Sequence, residues 1–328
     1  MNYSEKADII QSRIPAFEQT LAACICCGHR CGIDRTRNES GVCGITGDFR
    51  SASIASHTLH FGEEPPIVGK GGSGTVFFAG CNLRCVFCQN YQISHDGKGD
   101  LLDEQEIASI YRKLADQGAC NINLVSPTQY IYPAVLGLMQ FYRDGGDIPV
   151  VYNTNGYDSM ELLTLLDGIV DVYLPDAKYS DGAHAERYSH AGVNYVDVNR
   201  QAIREMYRQC GALTFSDDIA VRGVIIRHLV LPDDIAGSYE FLLWLKDNGM
   251  TGVTLSIMSQ YAPKYRANEY PAVARSITPK EYNGVVDYAV ELGFENLLIQ
   301  EMESSSVYFP DFGKEQPFSN TGMEKQTK

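Results

Sequence analysis

The sequence predicts an α/β fold in which repeated β–α units build a parallel sheet, curled one way into an incomplete barrel of about six units. Three observations carry this. Short apolar runs alternate with helical stretches every few tens of residues, the pattern of a parallel sheet with crossover helices. Crossovers between parallel strands are right-handed, so successive units curl in the same direction. At 328 residues the chain is long enough to bury a sizeable core.

The elements follow in order. Ile9, Ile10, Ile14, Phe17 and Leu21 recur at helical spacing, which predicts an amphipathic helix over 4–23 with Ser4 as cap. Residues 48–56 predict a short strand. Val76-Phe77-Phe78-Ala79 is an apolar strand that ends at Gly80. A helix over 103–117 carries Asp103 as cap, Glu106 completing a capping box, and Gly118 as stop. Strands are expected over 122–125, 150–152, 169–174, 224–231 and 253–258, with a last one at 296–300. Helices are expected between them over 132–144, 161–166, 183–210, 239–248 and 279–292. The polar tail from Phe312 reads as disordered. The expected organisation is a helix and Cys-rich extension over 1–60, a barrel over 61–311 and the tail over 312–328.

The strand at Val76 leads directly into Cys81, Cys85 and Cys88, spaced C-x3-C-x2-C. Three thiolates on one loop leaving a strand can converge on a single cluster. Structural zinc wants four closed ligands. A [4Fe-4S] cluster normally takes four cysteines, so three leave one iron open for chemistry. A second set lies upstream: Cys24, Cys27, Cys31 and Cys43, with Cys26 left over. Gly28, Gly32, Gly41 and Gly44 give the tight turns of a metal knuckle. Zinc and a second iron–sulfur cluster both suit four thiolates.

The string GCNLRCVFCQN resembles the cluster loop of the radical S-adenosylmethionine (SAM) superfamily, with Phe87 as the aromatic residue before the last cysteine. The wider run from Gly62-Glu63-Glu64-Pro65-Pro66 to Gln89-Asn90-Tyr91 resembles the uncharacterised members often labelled pyruvate formate-lyase activating enzyme-like. The resemblance implies the (β/α)6 radical SAM barrel, with a [4Fe-4S] cluster on Cys81, Cys85 and Cys88 whose open iron binds SAM. It also implies a low-potential electron donor, reductive cleavage of SAM to a 5′-deoxyadenosyl radical, and hydrogen abstraction from a peptide or small molecule. Glycyl-radical activation is one form of that reaction. Activators with extra clusters carry their added cysteines after the radical SAM loop, whereas here they precede it.

In parallel barrels the active site lies at the strand C-termini. That rule selects Ser126 and Thr128, Asn153 and Asn155, Asp176 and Lys178, then Arg227, while Met258 at the end of the next strand reads as a core methionine ahead of a contact to adenine. The family commonly carries a Gly-Gly-Glu-type motif at the second of these strands, touching the methionyl amine. Here Ser126-Pro127-Thr128 stands instead, so the two hydroxyls or backbone carbonyls are expected to serve. Asp176 and Lys178 fall on one side of an extended segment. The family's similar Asp-x-Lys implies contacts to SAM ribose and carboxylate. Arg227 in an apolar strand needs a partner, either a SAM carboxylate or Asp176.

Other features are assigned no chemistry. His57 and His60 read as hydrogen-bonded loop residues and Glu64 as positional. Cys120 and Cys210 lack metal spacing. The Gly-rich run 69–74 precedes a strand, so it is not a phosphate loop. The aromatic loop 261–271 suits either a lid or surface packing.

The formal charge of −14 argues against a nucleic-acid partner. The cysteines are too sparse for a disulfide scaffold and too clustered to be incidental. Residues 1–8 lack the pattern of a signal peptide, and no run is long enough to span a bilayer. The expectation is a cytoplasmic enzyme. The alternatives are a non-catalytic iron–sulfur or zinc scaffold, or an electron-transfer protein, which would need a fourth thiolate at the cluster. A barrel metallohydrolase would need more His and carboxylate ligands than His228 and Asp176 supply.

Overall fold

A computed structural model describes residues 3–45, 47–302, 310–314 and 317–318. The helix α1 (Tyr3–Ala22) is followed by the cysteine segment and β1 (Ala52–His60). Then come α2 (Pro65–Val68), β2 (Ser73–Phe78), α3 (Tyr91–Ser94), β3 (Asp100–Leu102), α4 (Glu104–Asp116) and β4 (Ile122–Val125). The alternation continues through α5 (Ile131–Arg143), β5 (Val150–Thr154), α6 (Met160–Leu166) and β6 (Val172–Pro175). Two helices, α7 (Gly182–Ser189) and α8 (Tyr195–Cys210), precede β7 (Thr214–Ser216) and β8 (Ile219–Leu229). The chain then forms α9 (Ser238–Asp247), β9 (Thr254–Met258), α10 (Pro279–Glu291) and β10 (Leu297–Ile299).

One sheet runs in the order β10-β9-β8-β6-β5-β4-β2-β1-β3. Its path from β2 to β10 is parallel throughout. The sheet does not close, because β10 lies at one end and the antiparallel pair β1 and β3 at the other. This is the expected unclosed α/β barrel. Alternation along the strands sorts its concave face into two layers. Val151, Val172, Leu174 and Ile225 form an apolar cluster with Ile67 of α2. Two residues further along the same strands, Asn153, Asp176 and Arg227 line a cavity. The floor is therefore dry and the mouth polar.

Local rules account for most boundaries. Asp103 caps α4 by accepting from Gln105 and Glu106 N–H groups, and the Glu106 carboxylate accepts from Asp103 N–H in return. Helix α1 starts one residue early, so Ser4 lies inside its first turn. Its Lys6 is buried, pairing with Asp171 and donating to Ile169 O at 3.0 Å.

The strands expected over 169–174 and 224–231 are Val172–Pro175 and Ile219–Leu229, and three further expectations change. The first strand runs over 52–60, not 48–56: Asp48 accepts from Arg50 N–H and closes a turn, and the strand then continues through both histidines. The helical pattern over 183–210 breaks at His190, which is left-handed (φ 49°), while Gly192 N–H donates to the Tyr157 hydroxyl. The three-residue strands β3 and β7 carry no apolar run that would announce them. The tail read as disordered lies largely outside the described residues. Within them, Phe312 and Phe318 pack on Phe77 at ring distances of 5.3 and 5.5 Å. No helix among the described residues is long and apolar enough to cross a membrane.

Candidate active site

The strand β2 delivers the cysteine loop to the barrel mouth. Gly80 takes a left-handed conformation (φ 72°) where the strand turns out, and its N–H donates to Ile93 O. The loop is pinned by backbone bonds from Arg84 N–H to Ser189 O (2.8 Å) and from Val86 N–H to Tyr188 O (2.9 Å). The Arg84 guanidinium spans Ser94 O and Cys43 O at 2.8 and 2.9 Å.

Cys81, Cys85 and Cys88 all line one cavity of about 250 Å³. Each sulfur meets a polar neighbour. Asn155 Nδ2 donates to Cys81 Sγ (3.4 Å), Ser189 Oγ to Cys85 Sγ (3.0 Å), and Cys88 Sγ shares a hydrogen bond with Ser94 Oγ (3.1 Å). Hydrogen bonds of this kind tune a cluster held by the sulfurs. Burial pushes the bare Cys81 and Cys88 thiols up to about 11 and about 12, and raises Cys85 as well. A bound metal centre would supply the charge that deprotonates them. Among the described residues, no three His, Cys, Asp or Glu side chains converge as one metal ion requires.

The rest of the mouth is a charge network. Asp176 accepts from Lys178 Nζ through Oδ2 (2.6 Å) and from Arg227 Nε through Oδ1 (2.8 Å). Arg227 also donates to Asn153 Oδ1 (2.6 Å) and stands 3.8 Å from Glu63. Burial alone would raise the Asp176 carboxyl, but Arg227 and Lys178 outweigh it and hold the group below its ordinary range. Burial likewise opposes the Lys178 charge, and Asp176 then Cys85 overcome it. Glu63 and Glu64 are pushed up by burial, with Arg227 opposing.

Of the residues selected from sequence, Ser126, Asn153, Asn155, Asp176, Lys178 and Arg227 join the three cysteines around this cavity, and Met258, read as a core residue, lines it too. Phe87 lines an adjoining cavity, its ring edge-on to Tyr261 at 5.4 Å. Thr128 is not brought to the site. Ser126 is left-handed (φ 54°) and turns the chain away, so the Thr128 hydroxyl donates to Asp158 (2.8 Å). Neither is the Arg227 neighbour His228, whose ring is locked between Ala177 O and Ser238 Oγ. The strand-end rule missed Glu63 and put Glu64 outside the site, yet both line it. The adjacent acids before Pro65-Pro66 were the available signal. His57 and His60 sit three apart in β1, hence on opposite faces, and cannot share a metal.

The N-terminal cysteines lie behind the cluster loop. Asn82, next to Cys81, lines a small cavity with Cys24, Cys26, Cys27, Cys31 and Cys43, and its Oδ1 accepts from Asn155 Nδ2 (2.6 Å). Arg35 donates to Cys24 Sγ (3.1 Å) and Cys43 Sγ (2.7 Å). A hydrogen bond from Cys26, then the Arg35 charge, hold the Cys24 thiol down to about 5 against burial. The leftover Cys26 thus has a partner. Among the described residues no three of these thiols converge as one metal ion requires, and Arg35 lies between two of them.

An open parallel barrel whose first strand presents three cavity-facing thiols, opposite an Asp-x-Lys pair, defines a class of iron–sulfur enzymes with a ligand-accepting cluster. The chain belongs to the radical SAM superfamily, whose profile matches residues 75–259, from β2 to just past β9. Over 293 residues it is 31% identical to an uncharacterized protein of Methanocaldococcus jannaschii, covering 87% of this chain and 79% of that one. Membership makes a [4Fe-4S] cluster and SAM the cofactors of this enzyme.

Proposed function

We propose that the chain reductively cleaves SAM and uses the resulting radical to abstract hydrogen from a peptide or small-molecule substrate. When bound, the cluster and SAM supply the electron transfer and the 5′-deoxyadenosyl radical. The chain's own residues hold and screen. Cys81, Cys85 and Cys88 anchor the cluster, Asp176 faces the ribose hydroxyls, and Lys178 complements the SAM carboxylate. The packed loops around the mouth keep water from the radical. The observation that carries this reading is that, among the described residues, no other cysteine lines the cavity. A closed electron carrier would need a fourth. The activase-like form rests on the resemblance of the run from Gly62 to Tyr91.

The reading extends to Cys24, Cys27, Cys31 and Cys43 as ligands of a second iron–sulfur cluster. Their place directly behind the cluster loop suits relay of an electron from a low-potential donor. None of the ten cysteines, all of them among the described residues, is paired in a disulfide, which suits a reducing compartment such as the cytoplasm.

Anaerobic reconstitution tests both parts. The wild-type chain should bind about eight irons and form 5′-deoxyadenosine when reduced with SAM, and the Cys81/Cys85/Cys88→Ala chain about four irons with no product. Absence of 5′-deoxyadenosine from iron-loaded wild type sinks the enzymatic reading. Iron-free, well-folded triple variant removes the second cluster.

A further inference from the structure

We infer that the end of the cavity formed by Glu63, Glu64 and His60 is the substrate subsite, and that it takes an aliphatic cation: a primary ammonium or guanidinium on an alkyl stem. This rests on the proposed radical chemistry for its purpose, but its evidence is separate.

Glu63 and Glu64 sit on the turn between β1 and α2, where Pro65 and Pro66 fix the start of the helix. Both are buried and both line the cavity. Their partners are few. Glu63 Oε1 accepts from Asn153 Nδ2 at 3.4 Å, Arg227 stands 3.8 Å from Oε2, and the Asn123 amide lies close by. Glu64 Oε1 accepts from Ser256 Oγ at 2.9 Å. An ionised carboxylate offers about four acceptor sites, so capacity is left unfilled on both. Asp176 already takes the short contacts of both cations, Lys178 and Arg227. Three carboxylates therefore face two cations, and the excess negative charge lies at the Glu63–Glu64 end.

His60 is the independent observation. It is 8% exposed and lines the same cavity, yet its ring nitrogens have no hydrogen-bond partner among the described residues. Its nitrogens are not among the fully buried unpartnered atoms of the described residues, so they open onto the cavity, where a ligand's donor can replace water. Burial pushes the imidazole down to about 4, so it is neutral and offers a lone pair without repelling a cation. Beside it stand Phe77 and Phe318, at ring distances of 6.3 and 4.1 Å. Such rings accept a hydrocarbon stem and attract a cation to their faces. An anionic ligand would meet two adjacent carboxylates and no spare cation.

The probes are butylammonium and butylguanidinium, with butanoate and butanol as matched controls. Capped Ala-Lys-Ala against Ala-Gln-Ala separates a peptide side chain from a free amine as the source. Binding is measured calorimetrically on the full reconstituted chain. At least one free or peptide-borne cation should bind about tenfold or more tighter than its neutral and anionic controls, and Glu63→Gln and Glu64→Gln should each lower its affinity by about one to two decades. Melting temperatures confirm that the variants fold. Equal binding of butanoate, binding of none of the cationic probes, or unchanged cation affinity in folded variants overturns the subsite. The selectivity of the wild-type chain decides the matter even if both variants fail to fold. Formation of 5′-deoxyadenosine without any probe reports on the radical chemistry alone, so the two readings fail separately.

Discussion

Reconstituted Cys85→Ala protein should form no 5′-deoxyadenosine above background, while melting at close to the wild-type temperature. The expected loss is complete because the loop supplies three thiolates and, among the described residues, no spare cysteine lines the cavity. Removing one leaves two irons of a cubane without protein ligands, and the open position that selects SAM is no longer defined. The fold should survive because the loop is held by its backbone. Arg84 N–H to Ser189 O, Val86 N–H to Tyr188 O and Arg266 N–H to Val86 O are all untouched by an alanine at 85. The truncation frees only the Ser189 hydroxyl, which also shares a bond with the Tyr179 hydroxyl at 2.7 Å. Full SAM cleavage by the variant would remove this loop from the reaction.

The second large effect is on SAM affinity. Asp176→Asn and Lys178→Met should each weaken SAM binding by about one to two decades, the equivalent of one charge-assisted hydrogen bond. Iron content should not change, since neither residue touches the sulfurs as a ligand. The geometry adds a complication that the bare Asp-x-Lys spacing does not reveal. Asp176 is also the counter-ion of Arg227, so the pair braces the mouth in addition to its proposed contacts with SAM. Breaking a buried pair costs roughly 3–5 kcal/mol of stability when one charge is left alone. Asp176→Asn leaves two cations short of a partner and should melt lower than Lys178→Met, after which Asp176 still holds Arg227. Melting alone therefore cannot identify the role. Titrating SAM while following the EPR signal of the reduced cluster can, and unchanged affinity in both variants would leave Asn153, Asn155 and Arg227 as the remaining candidates.

What the sequence made legible was whatever a strand carries. The apolar runs at 122–125, 150–152 and 253–258 mark their strands to within a residue or two, and the rule that function sits at strand ends then finds Asn153, Asp176 and Arg227 without further help. The spacing of Cys81, Cys85 and Cys88 is legible because one loop holds all three. What stayed hidden depends on turns. Glu63 and Glu64 reach the cavity from a segment ahead of the first parallel strand, where that rule does not look. Thr128 was misplaced because nothing in Ser126-Pro127-Thr128 announces a left-handed serine. The break between α7 and α8 comes from His190 and Gly192, inside a run whose apolar spacing reads as one helix. The Arg35 contacts to Cys24 and Cys43 join residues on separate loop turns, which no periodicity encodes.

The cysteine extension is stitched into the barrel. Gly28 N–H donates to Tyr157 O at 2.9 Å, Ser159 N–H to Cys26 O at 3.1 Å, and Arg84 reaches Cys43 O from the opposite side. There is thus no swinging arm. Electron tunnelling depends steeply on separation, and here the gap between the two groups of sulfurs is set by the same backbone that builds the catalytic mouth. A second cluster on the N-terminal thiols, as proposed, would keep one fixed range to the first, with no docking step to wait for.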